Sequence, residues 1–278
     1  MAQQSVIYLT NIIVGSILAG LMTHYWLRGG RSAVMRYWMI SAWLLTVADV
    51  LFASRPSLAP WISQLAPTLL VTVGHAWLYL GTQRTARLPR QWSLITGVIL
   101  FHAAGLVCFL LLEQYSGWRM VFNGVIWAAL SLGSAGWLRR AHRFYWQPVV
   151  SPANAFLLHG LFHCLRVALA VLFAVRDWTE ASALLQIIGD LEVSFFMIAL
   201  FVSILIANLQ LRHEELSSAH AEVRALSGLL PICSWCKKVR DDDGYWQQVE
   251  DYFSSRSQIE FTHGMCADCL KAQQQRHP

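Results

Sequence analysis

Seven times the sequence returns to a run of about twenty apolar residues, at approximately 5–27, 34–54, 62–82, 92–112, 118–138, 153–175 and 183–209. A hydrocarbon core about 30 Å thick is crossed by roughly 20 residues of helix, so each run has the length of a membrane span. In lipid every backbone N–H and C=O needs an internal partner, which leaves helices or barrel strands. Barrel strands are about half as long and alternate in polarity. These runs are long and continuously apolar, so helices are predicted. Composition agrees: 56% of residues are hydrophobic and 13% charged, against roughly 25% charged in soluble domains. Mean hydropathy is +0.44. The first run lacks a basic flank and a small-residue cleavage site, so it is expected to remain as a span rather than leave as a signal peptide.

The connections RGGR (28–31), RPSLAP (55–60), TARLPR (85–90), EQYSG (113–117), RRAHRFYWQP (139–148) and RDWTEAS (176–182) carry turn or charge signals. Loops after the first, third and fifth runs hold Arg28, Arg31, Arg36, Arg84, Arg87, Arg90, Arg139, Arg140 and Arg143. The opposite side holds Arg55, Arg119 and Arg176. Basic loops stay inside, so the C-terminus is expected in the cytoplasm and the N-terminus outside. The +5 net charge is largely this bias, and no nucleic-acid partner is expected. Trp26, Trp38, Trp61, Trp92, Trp118 and Trp146 fall near span ends, where an interfacial aromatic belt places them.

Ionisable residues inside spans are costly and mark candidate sites. His159, His163 and Arg166 share one face of the sixth helix at i, i+4 and i+7. Asp190 lies on the seventh beside Gln186 and Ser194, and pairing of Arg166 with Asp190 or Glu192 is expected from their depths. Asp49 sits in the second helix. His75, His102 and His163 lie on different helices at comparable depth, and converging imidazoles would ligate haem or another metal. The alternative is that each donates to a carbonyl or hydroxyl and fixes packing. Cys108 and Cys164 are expected to be small core residues.

Beyond the last run, Leu209, Leu216, Ala219, Val223, Leu226 and Leu230 keep three- and four-residue steps, with Arg212 interrupting one. A seam this narrow predicts a short homodimeric coiled coil over 209–230, or packing on another cytoplasmic surface. The tail from 231 contains Cys233-x-x-Cys236, a basic stretch, Asp241-Asp242-Asp243-Gly244, and a second pair at Cys266-x-x-Cys269. A D-G step between short strands predicts a tight hairpin, and the aspartates are expected to form a solvated turn, since they lack the alternating spacing of a calcium loop. A helix is predicted over QQVEDYFSSRS, and Cys266 and Cys269 open another. First pair on a knuckle and second at a helix start is the order of a treble-clef zinc site. Four thiolates, or three with His263 replacing one, would hold zinc and fold a segment too small for its own core. An iron–sulfur cluster and a thiol redox switch are the alternatives.

The stretches AEVRALSGLLPICSWCKKVRDDDGYWQQVEDY (221–252) and EFTHGMCADCLK (260–271) resemble a short C-terminal module of bacterial signalling proteins, where it follows PAS, GAF or receiver domains. PTLLVTVGHAWLYLGTQR (67–84), ANAFLLHGLFHCLRVALAVLF (153–173) and SFFMIALFVSILIANLQLRHEEL (194–216) are similar to multi-helix sensor regions that precede GGDEF domains. No GGDEF domain follows here, so cyclase activity is not carried over. The tail is short for a catalytic domain, and no phosphate-cradling Gly loop, H-E-x-x-H or G-x-S-x-G is present. GSAG (133–136) is a close-packing signal.

These readings describe an all-α polytopic membrane protein. It has a seven-helix transmembrane domain (1–209), a coiled-coil linker (210–230) and a small α+β treble-clef-like zinc module (231–278). The expected role is a non-enzymatic sensor in the lipid bilayer that reaches a cytoplasmic signalling protein. A haem- or metal-binding redox protein is the alternative, and a transporter the third reading.

Overall fold

In the computed structural model the described residues are 2–28, 31–112, 116–176, 178–227, 231–241, 243–256 and 260–276. They fall in two compact units, Met1–His213 and Glu214–Pro278. The first is built from α1 (Ala2–Arg28), α2 (Ala33–Ala53), α3 (Pro60–Thr85), α4 (Trp92–Leu111), α5 (Ser116–Leu138), α6 (Pro152–Val175) and α7 (Thr179–Ser227). Each predicted apolar run is a helix. Prolines stand at the first turns of α3 and α6, and the Ser151 hydroxyl accepts from Asn154 N–H to cap α6.

Among the described residues six helices are long and apolar enough to cross a membrane: α1, α2, α4, α5, α6 and α7. The chain is therefore a multi-pass membrane protein in outline. α3 is long enough but more polar, and the reason is its place in the bundle. It packs on α2, α4 and α5, and Thr68, Thr72, His75, Thr82 and Gln83 along it are buried. A helix shielded from lipid by its neighbours can carry polar groups that a lipid-facing one cannot.

The outward faces show the reverse pattern. Ile13, Ile17, Leu100, Phe101, Leu158, Leu165, Leu184 and Phe195 are exposed, which suits a surface solvated by acyl chains rather than water. Cys108 and Cys164 are exposed as well. The expected core positions for these two are corrected: a lipid-facing surface accepts small apolar side chains as readily as a core does. Trp38 is fully buried against Phe156 instead of joining an interfacial belt.

Close helix approach uses notches. A Cβ on Gly160 would meet Leu132, and one on Gly133, within the GSAG segment, would meet Tyr79. Among the described residues the closest backbone packing joins α5 to α6, α2 to α3, and α1 to α2. α7 is tied to α1 and α6 by side-chain links, described below.

α7 extends to Ser227, so residues 210–227 of the expected coiled-coil linker are helical. Leu209 and Leu216 are exposed on it. The side chains of Val223 and Leu226, and all of Leu230, lie outside the described residues.

In the second unit β1 (Val239–Arg240) pairs antiparallel with β2 (Trp246–Gln247), followed by α8 (Val249–Ser254) and α9 (Ala267–Arg276). Gly244 turns the hairpin with φ +92°, in the left-handed region that glycine enters freely. Asp241 is not solvated as expected. Its carboxylate is buried, accepting from Tyr245 N–H at 2.7 Å and from the Gln247 amide, and so closes the turn from within. Asp242 lies outside the described residues.

Candidate functional site

The polar residues of the bundle meet around one cavity of about 260 Å³. Its wall draws on the first parts of α1, α5 and α7, the middles of α3 and α6 and the last turns of α2. Asp49, His75, His159, His163, Arg166 and Asp190, all singled out from sequence, line it.

Arg166 and Asp190 are joined through a relay. Arg166 Nη2 donates to Gln186 Oε1 at 2.9 Å, and Gln186 Nε2 donates to Asp190 Oδ1 at 2.7 Å. Tyr8 Oη donates to Asp190 Oδ2 at 3.0 Å, and Asn11 Nδ2 to the Asp190 carbonyl at 3.1 Å. Ser194 Oγ donates to Asn11 Oδ1. α7 is thus bound to α1 and α6 by a chain of polar links in a low-dielectric interior, where each is hard to replace by water. Arg166 Nε is buried without a hydrogen-bond partner.

Gly189 makes room for this guanidinium. A Cβ there would stand 2.5 Å from Arg166 Cζ. Gly189→Ala is expected to displace Arg166 and destabilise the bundle by about 1–3 kcal/mol, as overpacking does. Thermal unfolding in detergent measures it; an unchanged midpoint would show that the arginine has slack.

Glu192 does not pair with Arg166 through a direct bond. It faces His159, whose Nδ1 lies 2.8 and 3.0 Å from the two carboxylate oxygens. His159 Nε2 in turn lies 3.0 Å from His75 Nε2. The His163 ring stands edge-on to His159 with centroids 4.5 Å apart, and Phe196 stacks on His159 at 3.7 Å. Ligand atoms of His159, His163 and Glu192 lie within 4.8 Å of one another.

The grouping of His75, His102 and His163 expected from depth is therefore corrected in one member. His159 completes the imidazole cluster and His102 sits apart. Depth along a helix does not reveal which way a face turns, and α4 presents His102 to Thr72 and Asn123 instead. Thr72 Oγ1 lies 2.7 Å from His102 Nδ1, His102 Nε2 lies 2.9 Å from Asn123 Oδ1, and Trp127 Nε1 donates to Thr72 Oγ1 at 2.8 Å. An amide oxygen only accepts, so Nε2 carries the proton and Nδ1 accepts from Thr72. Every polar atom of His102 is satisfied, which is the packing role.

Sequence reading missed several wall residues. Tyr8 and Asn11 are polar interruptions of the first apolar run and were detectable as such. Arg55 and Arg119 read as loop charges, yet both line the cavity. Arg55 Nε donates to the Ser63 carbonyl at 3.2 Å and Arg119 Nη1 to Gln64 Oε1 at 3.4 Å.

Comparison with known protein families, with curated proteins and with solved structures finds no match.

The cysteines form a second candidate. Cys233 N–H donates to the Lys238 carbonyl at 2.8 Å, Lys237 N–H to the Cys233 carbonyl at 3.0 Å, and Lys237 has φ +63°. This tight knuckle aims the Cys236 and Trp235 amides at the Cys233 sulfur, and they hold that thiol below its ordinary range. Cys266 precedes the first turn of α9, where the Cys269 amide, its thiol and the Asp268 amide lower the Cys266 thiol in the same direction. One thiol in each pair thus favours the thiolate form. No three of the four cysteines come within shared ligand distance; among the described residues only His159, His163 and Glu192 do so. His263 is exposed and joins no such group.

Proposed function

We propose that the chain is a bacterial inner-membrane sensor, in which a stimulus received in the bundle cavity is passed along α7 to the cysteine module. One observation carries this reading. Gln186, Gly189 and Asp190 form cavity wall on α7, and the same uninterrupted helix runs on to Ser227. A rigid element whose wall contacts are polar links can take a second arrangement when those links change, and such an element is what coupling between distant sites requires.

In this reading α3 is a seventh span, enclosed by its neighbours, and the arginine bias sets the N-terminus outside and the C-terminus in the cytoplasm. Exposed Leu209 and Leu216 form the start of a dimer seam between two copies of α7. Cys233, Cys236, Cys266 and Cys269 hold one zinc ion, which gathers the two cysteine pairs; its chemistry there is structural cross-linking. Trp235, Tyr245 and Trp246 are exposed on the module and offer an aromatic surface of the kind that anchors protein partners.

The test places a photo-crosslinking residue at Glu215 in membranes. A crosslinked dimer is expected, lost on Leu216→Glu and changed in yield by Arg166→Gln in the cavity. Crosslinking indifferent to both substitutions would end the relay.

A further inference from the structure

We infer that the bundle cavity binds a small monocarboxylate with an apolar body. Arg55 and Arg119 hold its carboxylate, and the body lies against ring surfaces further along the cavity. The inference rests on the reading of this cavity as the place where a stimulus is received, and names the chemical class of that stimulus.

It begins with a charge count. Arg55, Arg119 and Arg166 line the cavity together with Asp49 and Asp190. His159, once protonated, and Glu192 form an ion pair that cancels itself. With both aspartates ionised and the other imidazoles neutral, the wall still holds one positive charge in excess. Nor are the cations met directly: among the described residues none of the three guanidinium groups is in ion-pair contact with a carboxylate. Arg166 meets Asp190 only through Gln186, and its Nε is buried without a partner. A cation held in a low-dielectric interior without its counter-charge is costly, and a bound anion supplies that charge. Arg55 and Arg119 are placed to share it. Arg55 Nε donates to the Ser63 carbonyl and Arg119 Nη1 to Gln64 Oε1, so adjacent residues of α3 hold the two groups. The Arg55 guanidinium also lies over the Phe52 ring at 4.4 Å. Each bond to α3 uses one of a guanidinium's five N–H groups, which leaves both with donors for a carboxylate.

The rest of the wall selects the class of anion. Charge gathers at one end, where Tyr8 touches both Asp190 and Phe52, and Phe52 touches Arg55. Ring surface gathers at the other, where Trp127 and Phe196 both stack on His75. Trp127 follows Arg119 on α5 and Phe196 follows Asp190 on α7, at offsets that span about 9–12 Å of helix. The nitrogens of His75 and His159 are spent on each other, on the Val71 carbonyl and on Glu192, so this end offers faces rather than polar edges. His163 Nδ1, buried without a partner, is one polar point on that surface. A monocarboxylate brings the single negative charge that closes the count. A phosphate group carries about −1.5 to −2 at pH 7 and has no apolar body to lay against the rings. The cavity, about 260 Å³, is smaller than the roughly 300–1,000 Å³ of sites for drug-sized molecules, so the ligand is small.

The probe is benzoate, with benzamide as its uncharged counterpart. Each is titrated calorimetrically into the full chain in phosphatidylcholine nanodiscs at neutral pH, with empty discs subtracted. Saturable binding of benzoate is expected, with benzamide and inorganic phosphate each weaker by about tenfold or more. Arg55→Gln and Arg119→Gln should each weaken benzoate about 10–100-fold, since each removes a charge-assisted bond. Arg84→Gln, at an exposed arginine in the last turn of α3, should leave it unchanged. The comparison of benzoate with benzamide uses the unaltered chain, so it decides even where a variant fails to fold. Absence of saturable benzoate binding, equal binding of benzamide or phosphate, or unchanged affinity in both Arg55→Gln and Arg119→Gln overturns the site. Crosslinking at Glu215 reads the relay separately. Benzoate binding beside a crosslink indifferent to Leu216→Glu and Arg166→Gln keeps the site and ends the relay; a responsive crosslink without benzoate binding does the reverse.

Discussion

Asp190→Leu is expected to cost the bundle about 3–5 kcal/mol, because it leaves Arg166 buried without its compensating carboxylate. Arg166 is 6% exposed and reaches Asp190 only through Gln186. Tyr8→Phe removes one hydrogen bond from an uncharged donor to the same carboxylate and should cost less, about 1–2 kcal/mol. The difference separates charge compensation from hydrogen bonding as the source of stability. The double variant Asp190→Leu/Arg166→Met should recover most of the loss, since replacing both members of a buried pair with apolar groups is often neutral. Denaturant unfolding in detergent supplies the four values of the cycle. If the double variant is as unstable as the sum of the singles, the two residues are not coupled and the relay through Gln186 has no energetic weight.

Removing the proposed zinc from the tail is expected to unfold the cysteine module and leave the bundle intact. Val239 is the one buried apolar side chain among the described residues of 231–276, while Ile232, Trp235, Tyr245, Trp246, Phe261 and Met265 are exposed. A segment with so little buried surface cannot offset its conformational entropy, and a structural metal is the usual remedy. Hydrogen exchange on the full chain should therefore show protected amides in β1, β2 and α9 with zinc. Protection should be lost after chelation or in Cys233→Ser/Cys236→Ser. Elemental analysis should fall in step from about one zinc per chain to none. A module that stays protected without metal would contradict zinc as its scaffold.

Much of the candidate site could be read before any coordinates. An ionisable residue in an apolar run is expensive, so Asp49, His75, His159, His163, Arg166 and Asp190 stood out by cost alone, and the structure places all six around one cavity. Of the two partners expected for Arg166, Asp190 is reached through Gln186 while Glu192 faces His159, since depth alone does not fix azimuth. His102 takes the packing alternative for the same reason. Arg55 and Arg119 were read as loop charges, since a residue at a span end satisfies the topology rule whether it points to solvent or into the bundle.

The sequence by itself determined the seven helices and their approximate limits, because hydrocarbon enforces long apolar runs and a closed set of backbone hydrogen bonds. It also determined the short module with its two thiol pairs, through turn chemistry and cysteine spacing. Only the tertiary structure decided which helix is enclosed, and hence why α3 can be polar. It alone decided that the first part of α7 carries cavity wall, and that His75 and His159 face each other through their Nε2 atoms. These depend on how helices rotate about their own axes, a choice made by packing many side chains at once. One-dimensional periodicity does not encode it when lipid and protein interior are equally apolar.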